Sequence, residues 1–287
     1  MQRTPVLDPE EYIEQAYFFG VFRERLAENQ AAQDLLERLH EEILATTRLP
    51  LAIQFLATDL KHTGLLADGF RRLNHYFTPF QAYVISKAEE EGLRFSMDLA
   101  LRCLEAEATY RSGKPSTAGL FVFEFEVMCR NKLGYDEGLD AMARDAAFSE
   151  AWDDYLETVR RNVGEIDFAD LIYVRSELAN QEARKKDADV KLPPALFGAK
   201  EGKIAKASHG RDPLYLFSAL QRQLGYPEVP RHVQREDPTV VLAAVQAKLA
   251  ELEQKLRLLE NEVRGTADQV QALGKPETLA IKPIEID

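Results

Sequence analysis

Five histidines, two cysteines and 48 carboxylates are the residues from which this 287-residue chain would have to build acid–base, metal or nucleophilic chemistry. Glu37 and His40 stand three apart, and so do Asp59 and His62. On a helix that spacing puts carboxylate and imidazole on one face, which is half of what a carboxylate-bridged di-metal centre requires. A ferritin-like centre takes a further glutamate from each of two other helices, and Glu14 and Glu105 are the residues that would supply them. The pattern departs from such a centre in several respects. Aspartate replaces glutamate in the second pair, and the two pairs lie 22 residues apart on consecutive helices. Glu41 and Glu42 also extend the first pair into what reads as a solvated polar face. A ferritin-like di-metal enzyme is therefore the last of three functional expectations, and no metal ligands are assigned.

Other catalytic patterns are weaker. No Gly-x-Ser-x-Gly elbow occurs, and Cys103 and Cys129 stand alone among apolar residues, where they read as small buried hydrophobes. The run Gly198-Ala199-Lys200-Glu201-Gly202-Lys203-Ile204 has one residue too few between its glycines for a phosphate-binding loop. It also has isoleucine where a magnesium-ligating hydroxyl belongs. The aromatic turn from Asn74 to Phe80 reads as the closure of a core between two helices rather than a ligand pocket. No catalytic residue and no cofactor is expected, and the chain leans away from being an enzyme.

Two features carry more information. From Pro238 to Arg264 there is no glycine and no second proline. Leu242, Val245, Leu249, Leu252, Leu256, Leu259 and Val263 recur at alternating three and four, filling every a and d seat of a heptad. A stripe that narrow suits a coiled coil. With Leu242 at a, Lys248 and Lys255 occupy g, and Glu253 and Glu260 occupy e. In a parallel pair each g lysine faces the next e glutamate of the other chain, whereas the simplest antiparallel register sets like against like. Leucine at both a and d leaves the oligomer number open; a dimer is expected and a trimer is the alternative. The second feature is a basic island, Arg184 to Arg211, in which Lys200, Lys203, Lys206 and Arg211 are the candidates for binding an anion or nucleic acid.

The elements that must position these residues are helical. Apolar side chains recur at three and four through Leu35–Leu44, Leu93–Leu104 and Trp152–Val159. Asp8-Pro9, Asp212-Pro213 and Asp237-Pro238 place a capping carboxylate before a first-turn proline, with Glu11 as capping-box partner of Asp8. Leu49-Pro50 and Thr78-Pro79 mark further starts. Gly92, Gly134, Gly164, Gly225 and Gly265 mark stops. Phe121, Phe123, Phe125 and Val127 alternate with Glu124 and Glu126 in the manner of a strand, but no partner strand exists elsewhere, so a helix is expected.

The formal charge is −12, and its distribution divides the chain. Residues 1–183 hold 33 acidic and 19 basic side chains, while residues 184–212 hold 8 basic and 4 acidic. The acidity excludes a protein that coats nucleic acid over its whole surface and confines any such contact to a short stretch. The expected fold is mainly α: a multi-helix globular body followed by a C-terminal coiled-coil helix and a flexible tail. The body is 1–183, and a basic glycine- and proline-bearing connector with one short helix near 213–224 occupies 184–236. The coiled-coil helix is 237–265, and the tail is 266–287.

Neither a signal peptide nor a membrane span is expected, and two isolated cysteines suit a reducing cytoplasm. The leading functional expectation is a cytoplasmic interaction or scaffold protein that self-associates through its C-terminal helix and engages a further, unidentified protein. A nucleic-acid-associated regulator using 184–211 is the runner-up.

Overall fold

The structure is a computed structural model that describes residues 3–187, 190–231, 246, 248–250 and 252–256. The N-terminal part contains α1 (Pro9–Ala27), α2 (Ala32–Leu39), α3 (Leu49–Thr63), α4 (Leu66–Arg72), α5 (Pro79–Glu89), α6 (Met97–Ser112) and α7 (Thr117–Asn131). It continues through α8 (Tyr135–Ala143), α9 (Glu150–Asn162), α10 (Phe168–Val174), α11 (Glu177–Lys186), α12 (Ala199–Ser208) and α13 (Pro213–Leu224). No strand occurs among the described residues; three isolated bridges, such as Ser176 with Phe197, are the whole of the extended pairing there. The chain is a mainly helical, multi-helix body.

Local chemistry explains most of the punctuation. Thr78 accepts the Gln81 amide while the Gln81 side chain accepts the Thr78 amide, a full capping box at the start of α5. Ser96, Ser116, Asp167, Ser176 and Asp212 cap α6, α7, α10, α11 and α13 with a side-chain oxygen. Gly64 and Gly225 take the left-handed conformation that closes α3 and α13.

Two expected caps differ. The Asp8 side chain makes no capping bond, and Glu11 turns inward to accept the Arg48 amide at 2.9 Å and the Tyr76 hydroxyl at 2.8 Å. A tertiary partner outbids the local one. The left-handed residue that ends α7 is Lys132 at φ 55°, so Gly134 is free to start α8.

The alternating stretch is a helix, as expected. Every side chain from Leu120 to Met128 is buried, the two glutamates included. A helix apolar on all sides belongs in the middle of a core, and α7 sits there. Phe121 meets Trp152, Tyr155, Phe168 and Phe197 with ring centroids 5.3 to 6.1 Å apart, and Phe125 stacks on Phe168 at 4.0 Å. The aromatic turn closes core as well: Tyr76, Phe77 and Phe80 are all buried.

Residues 184–231 contain two helices where one was expected. The helix near 213–224 is α13, and α12 precedes it. Ala205, Phe217, Leu220, Tyr226 and Val229 are buried, and the first compact unit runs to His232. On α13 the buried seats are Leu216, Phe217 and Leu220, while Leu214 lies 43% exposed on the first turn.

The second unit begins at Val233. Its described residues, 246, 248–250 and 252–256, are helical, with Leu249, Leu252 and Leu256 exposed. Leu242, Val245, Leu259, Glu260 and Val263, the pair Asp237-Pro238, Gly265 and the tail 266–287 lie outside the described residues. Among the described residues, no helix is long and apolar enough to cross a membrane.

Candidate functional site

Three of the carboxylates considered for a metal centre are engaged elsewhere. Asp59 is buried and bound to Arg72, Glu14 accepts the Leu44 amide at 3.1 Å, and Glu105 faces Arg23 at 3.6 Å. Glu37 and His40 line an open hollow with His62, but the described residues include no group of three or more histidine, cysteine, aspartate or glutamate side chains able to hold a metal ion. Cys103 is buried with its thiol 3.8 Å from the Pro230 carbonyl, and burial pushes its ionisation up, so it is a packing residue.

A cleft of about 340 Å³ opens beside the aromatic turn, with Phe77, Thr78 and Pro79 facing Tyr83, Asp140 and Arg144. Its rim charges are already joined, Arg144 to Asp140 at 3.0 Å and Glu137 to Lys87 at 2.9 Å.

The interior holds an ionic cluster that the sequence does not announce. Arg111 Nε donates to Glu107 at 2.7 Å, and its Nη2 donates to Glu124 at 3.0 Å and to Asp145 at 2.6 Å. All four side chains are buried, and the guanidinium lies 5.9 Å from the Tyr12 ring centre. One cation faces three carboxylates. Burial, followed by the neighbouring carboxylates, pushes Glu124 well above the usual carboxylate range. Burial likewise raises Glu107. One Oε2 on each glutamate has no hydrogen-bond partner. The geometry favours a proton retained by the glutamate pair. The cluster joins α1, α6, α7 and the segment after α8, tying four parts of the body together through one guanidinium.

The chain matches no protein-family model, no curated protein and no solved structure. Among the described residues, thirteen of the nineteen lysines and arginines before residue 184 sit in ion pairs, against one of eight in 184–212. The body spends its cations internally, and the basic segment does not.

Its sequence-chosen residues do not all converge. Lys206 is bound to Glu182 at 2.9 Å and lies 5.4 Å from the Tyr173 ring centre. Lys203 is one turn before it on α12. Lys200 sits at the opposite end of that helix, roughly 9 Å along the axis from Lys206. Arg211 lies in the turn beyond His209, which pairs with Asp170 at 2.8 Å. Lys185 and Lys186, in the last turn of α11, lie one turn beyond Glu182, the partner of Lys206. Their position in a last helical turn was the available signal, because cations gather at that end of the helix dipole.

Of the seven a and d residues read from the sequence, three are among the described residues of the C-terminal helix. Leu249, Leu252 and Leu256 are 55%, 49% and 59% exposed, and Lys248, Glu253 and Lys255 are helical beside them.

Proposed function

We propose that the chain is a self-associating interaction protein whose C-terminal helix pairs in parallel with a second copy of itself. One observation carries the reading: three leucines at heptad spacing on one helix, each about half exposed. Three successive solvent-facing leucines, Leu249, Leu252 and Leu256, are a cost without a partner. A leucine taken from half exposed to buried contributes roughly 1 kcal/mol, and the sequence provides seven such apolar seats per chain. Charge chooses the occupant. Lys248 would meet Glu253, and Lys255 would meet Glu260, across a parallel pair on both sides of the seam. Each such pair is worth only a few tenths of a kcal/mol, so they select orientation while the seam supplies affinity.

A dimer is the assembly proposed, working as a scaffold that presents the helical body twice. The cytoplasm is its proposed compartment, in keeping with the free Cys103 and Cys129. Sedimentation velocity of the full chain against a chain ended at Glu236 tests the proposal. The full chain should sediment as a dimer and the shortened chain as a monomer. Equal monomeric masses would overturn it, and a trimeric mass would correct the oligomer number.

A further inference from the structure

The unpaired bases of 184–212 share a place because of how two helices are laid together. Glu177 on α11 accepts the Ala199 amide that begins α12, at 3.2 Å, and Glu182 accepts Lys206 near the end of α12, at 2.9 Å. Ser176 bridges Phe197 in parallel, and Gly202 lets α12 approach so closely that a Cβ there would collide with the Ser176 hydroxyl. The two helices therefore run side by side in the same direction, and their C-terminal ends coincide.

That end is basic. Lys185 and Lys186 lie one turn beyond Glu182, on the side of α11 that faces α12. Lys203 lies one turn before Lys206, and Arg211 follows in the connecting turn; all are exposed. The acids beside them are engaged. Glu182 holds Lys206 and the Tyr173 hydroxyl, Asp167 accepts the Gly210 and Ala169 amides, and Asp170 holds His209. Among the described residues, Lys185, Lys186, Lys203 and Arg211 have no ion-pair partner.

A second feature gives the surface its chemistry. Tyr215, on the first turn of α13 and four residues past Arg211, is 70% exposed. An exposed ring four residues from Arg211, at the start of the helix that follows α12, adds a stacking platform to exposed cations that can hold a phosphate chain.

We infer that this end of α11 and α12 binds single-stranded nucleic acid, with phosphates on Lys185, Lys186, Lys203 and Arg211 and a base stacked on Tyr215. Three of the four cations are lysines, point charges without the planar fork that reads a base edge, so phosphate contact dominates over sequence readout. An acidic protein segment would satisfy the lysines but has no use for the ring. The inference is independent of self-association, because every residue in it belongs to the first unit.

Fluorescence anisotropy of the full chain with a labelled oligothymidylate of about twenty nucleotides tests it, at roughly 50 and 200 mM salt. The triple variant Lys185→Gln, Lys186→Gln, Lys203→Gln should weaken binding about tenfold or more at the lower salt and flatten the log–log salt slope by roughly 2. Tyr215→Ala should weaken it about fivefold or more at both salts. A control triple elsewhere on the body, Lys61→Gln, Lys114→Gln, Lys132→Gln, should leave binding within about twofold. No binding at the lower salt, or equal losses from the two triples, would overturn the inference. So would an unaltered affinity in Tyr215→Ala together with tight binding of polyglutamate, which would assign the surface to an acidic protein segment.

Discussion

Helix α7 and the helix through Leu252 are both rich in large apolar residues and both carry glutamates, yet they meet their surroundings in opposite ways. On α7 the apolar residues occur on every side, and the two glutamates among them are given partners inside the fold: Arg111 for Glu124, Arg130 and Tyr226 for Glu126. On the C-terminal helix the large apolar residues from Leu242 onward keep to one stripe apart from Leu258, and the described leucines of that stripe stand open to solvent. Apolar content alone does not say where a helix finds its cover. A helix apolar all round needs neighbours on all sides, which only its own chain can arrange; a helix with one narrow stripe needs a single neighbour, which a second copy can supply.

The comparison is sharpened most by removing the cation at the centre of the closed region. Arg111→Met leaves three buried carboxylates without their counter-charge, and unfolding in urea should show a loss of about 3–5 kcal/mol. The triple change at Lys185, Lys186 and Lys203 should cost less than about 0.5 kcal/mol in the same assay, because those side chains hold nothing together. Comparable losses from the two variants would remove the distinction between closed interior and open surface.

Next in size is the seam itself. Leu249→Glu with Leu256→Glu buries like charges in any coiled-coil interface, so the self-association constant should fall by about a hundredfold or more, seen as a shift to monomer mass in sedimentation. The melting temperature of the body should stay within about 2 °C. A body that melts much earlier would mean that the stripe is covered by its own chain.

A smaller effect is expected from pH. Burial raises Glu124 above its unfolded value, so the native state holds a proton that the unfolded chain releases. Stability from this group is then full below the unfolded carboxylate range and declines as pH rises towards the raised native value. Glu124→Gln, which keeps the shape and removes the titration, should flatten the fall in urea midpoint over that interval. An unaltered slope would show that the cluster retains no proton there.

The smallest effect belongs to the surface. Arg25 and Glu42 are bonded at 2.7 Å through both oxygens, but both side chains are solvated. Arg25→Ala should cost less than about 0.5 kcal/mol, and high salt should erase the difference.

Much of this architecture was legible in the residues, and the parts that were not have a common physical cause. Helix starts at Pro50, Pro79 and Pro213 and the helical nature of Phe121–Val127 followed from local chemistry and from the absence of a partner strand. The Arg111 cluster was hidden because Glu107 and Arg111, four apart, look like any solvated helix pair until tertiary packing buries them. Glu11 looked like a capping residue because its better partners, Arg48 and Tyr76, are distant in sequence. Charge reversal at residue 184 suggested a boundary, yet the lysines there belong to the ends of α11 and α12, which the first unit folds around. Heptad spacing is the converse case as a pattern, because it is purely local; the self-association drawn from it is a proposal, and four of its seven seats lie outside the described residues.

Disulfide capture of the seam distinguishes a parallel pair of helices from a helix covered by its own chain. In a parallel pair each d residue faces its own copy, so Leu252→Cys places two thiols together, whereas Gln254→Cys, at an outer f seat, does not. Mild oxidation should convert most of the Leu252→Cys protein to a covalent dimer and leave Gln254→Cys and the unaltered chain largely monomeric on a non-reducing gel. Equal yields from the two cysteine variants, or no dimer from Leu252→Cys, would contradict parallel self-association.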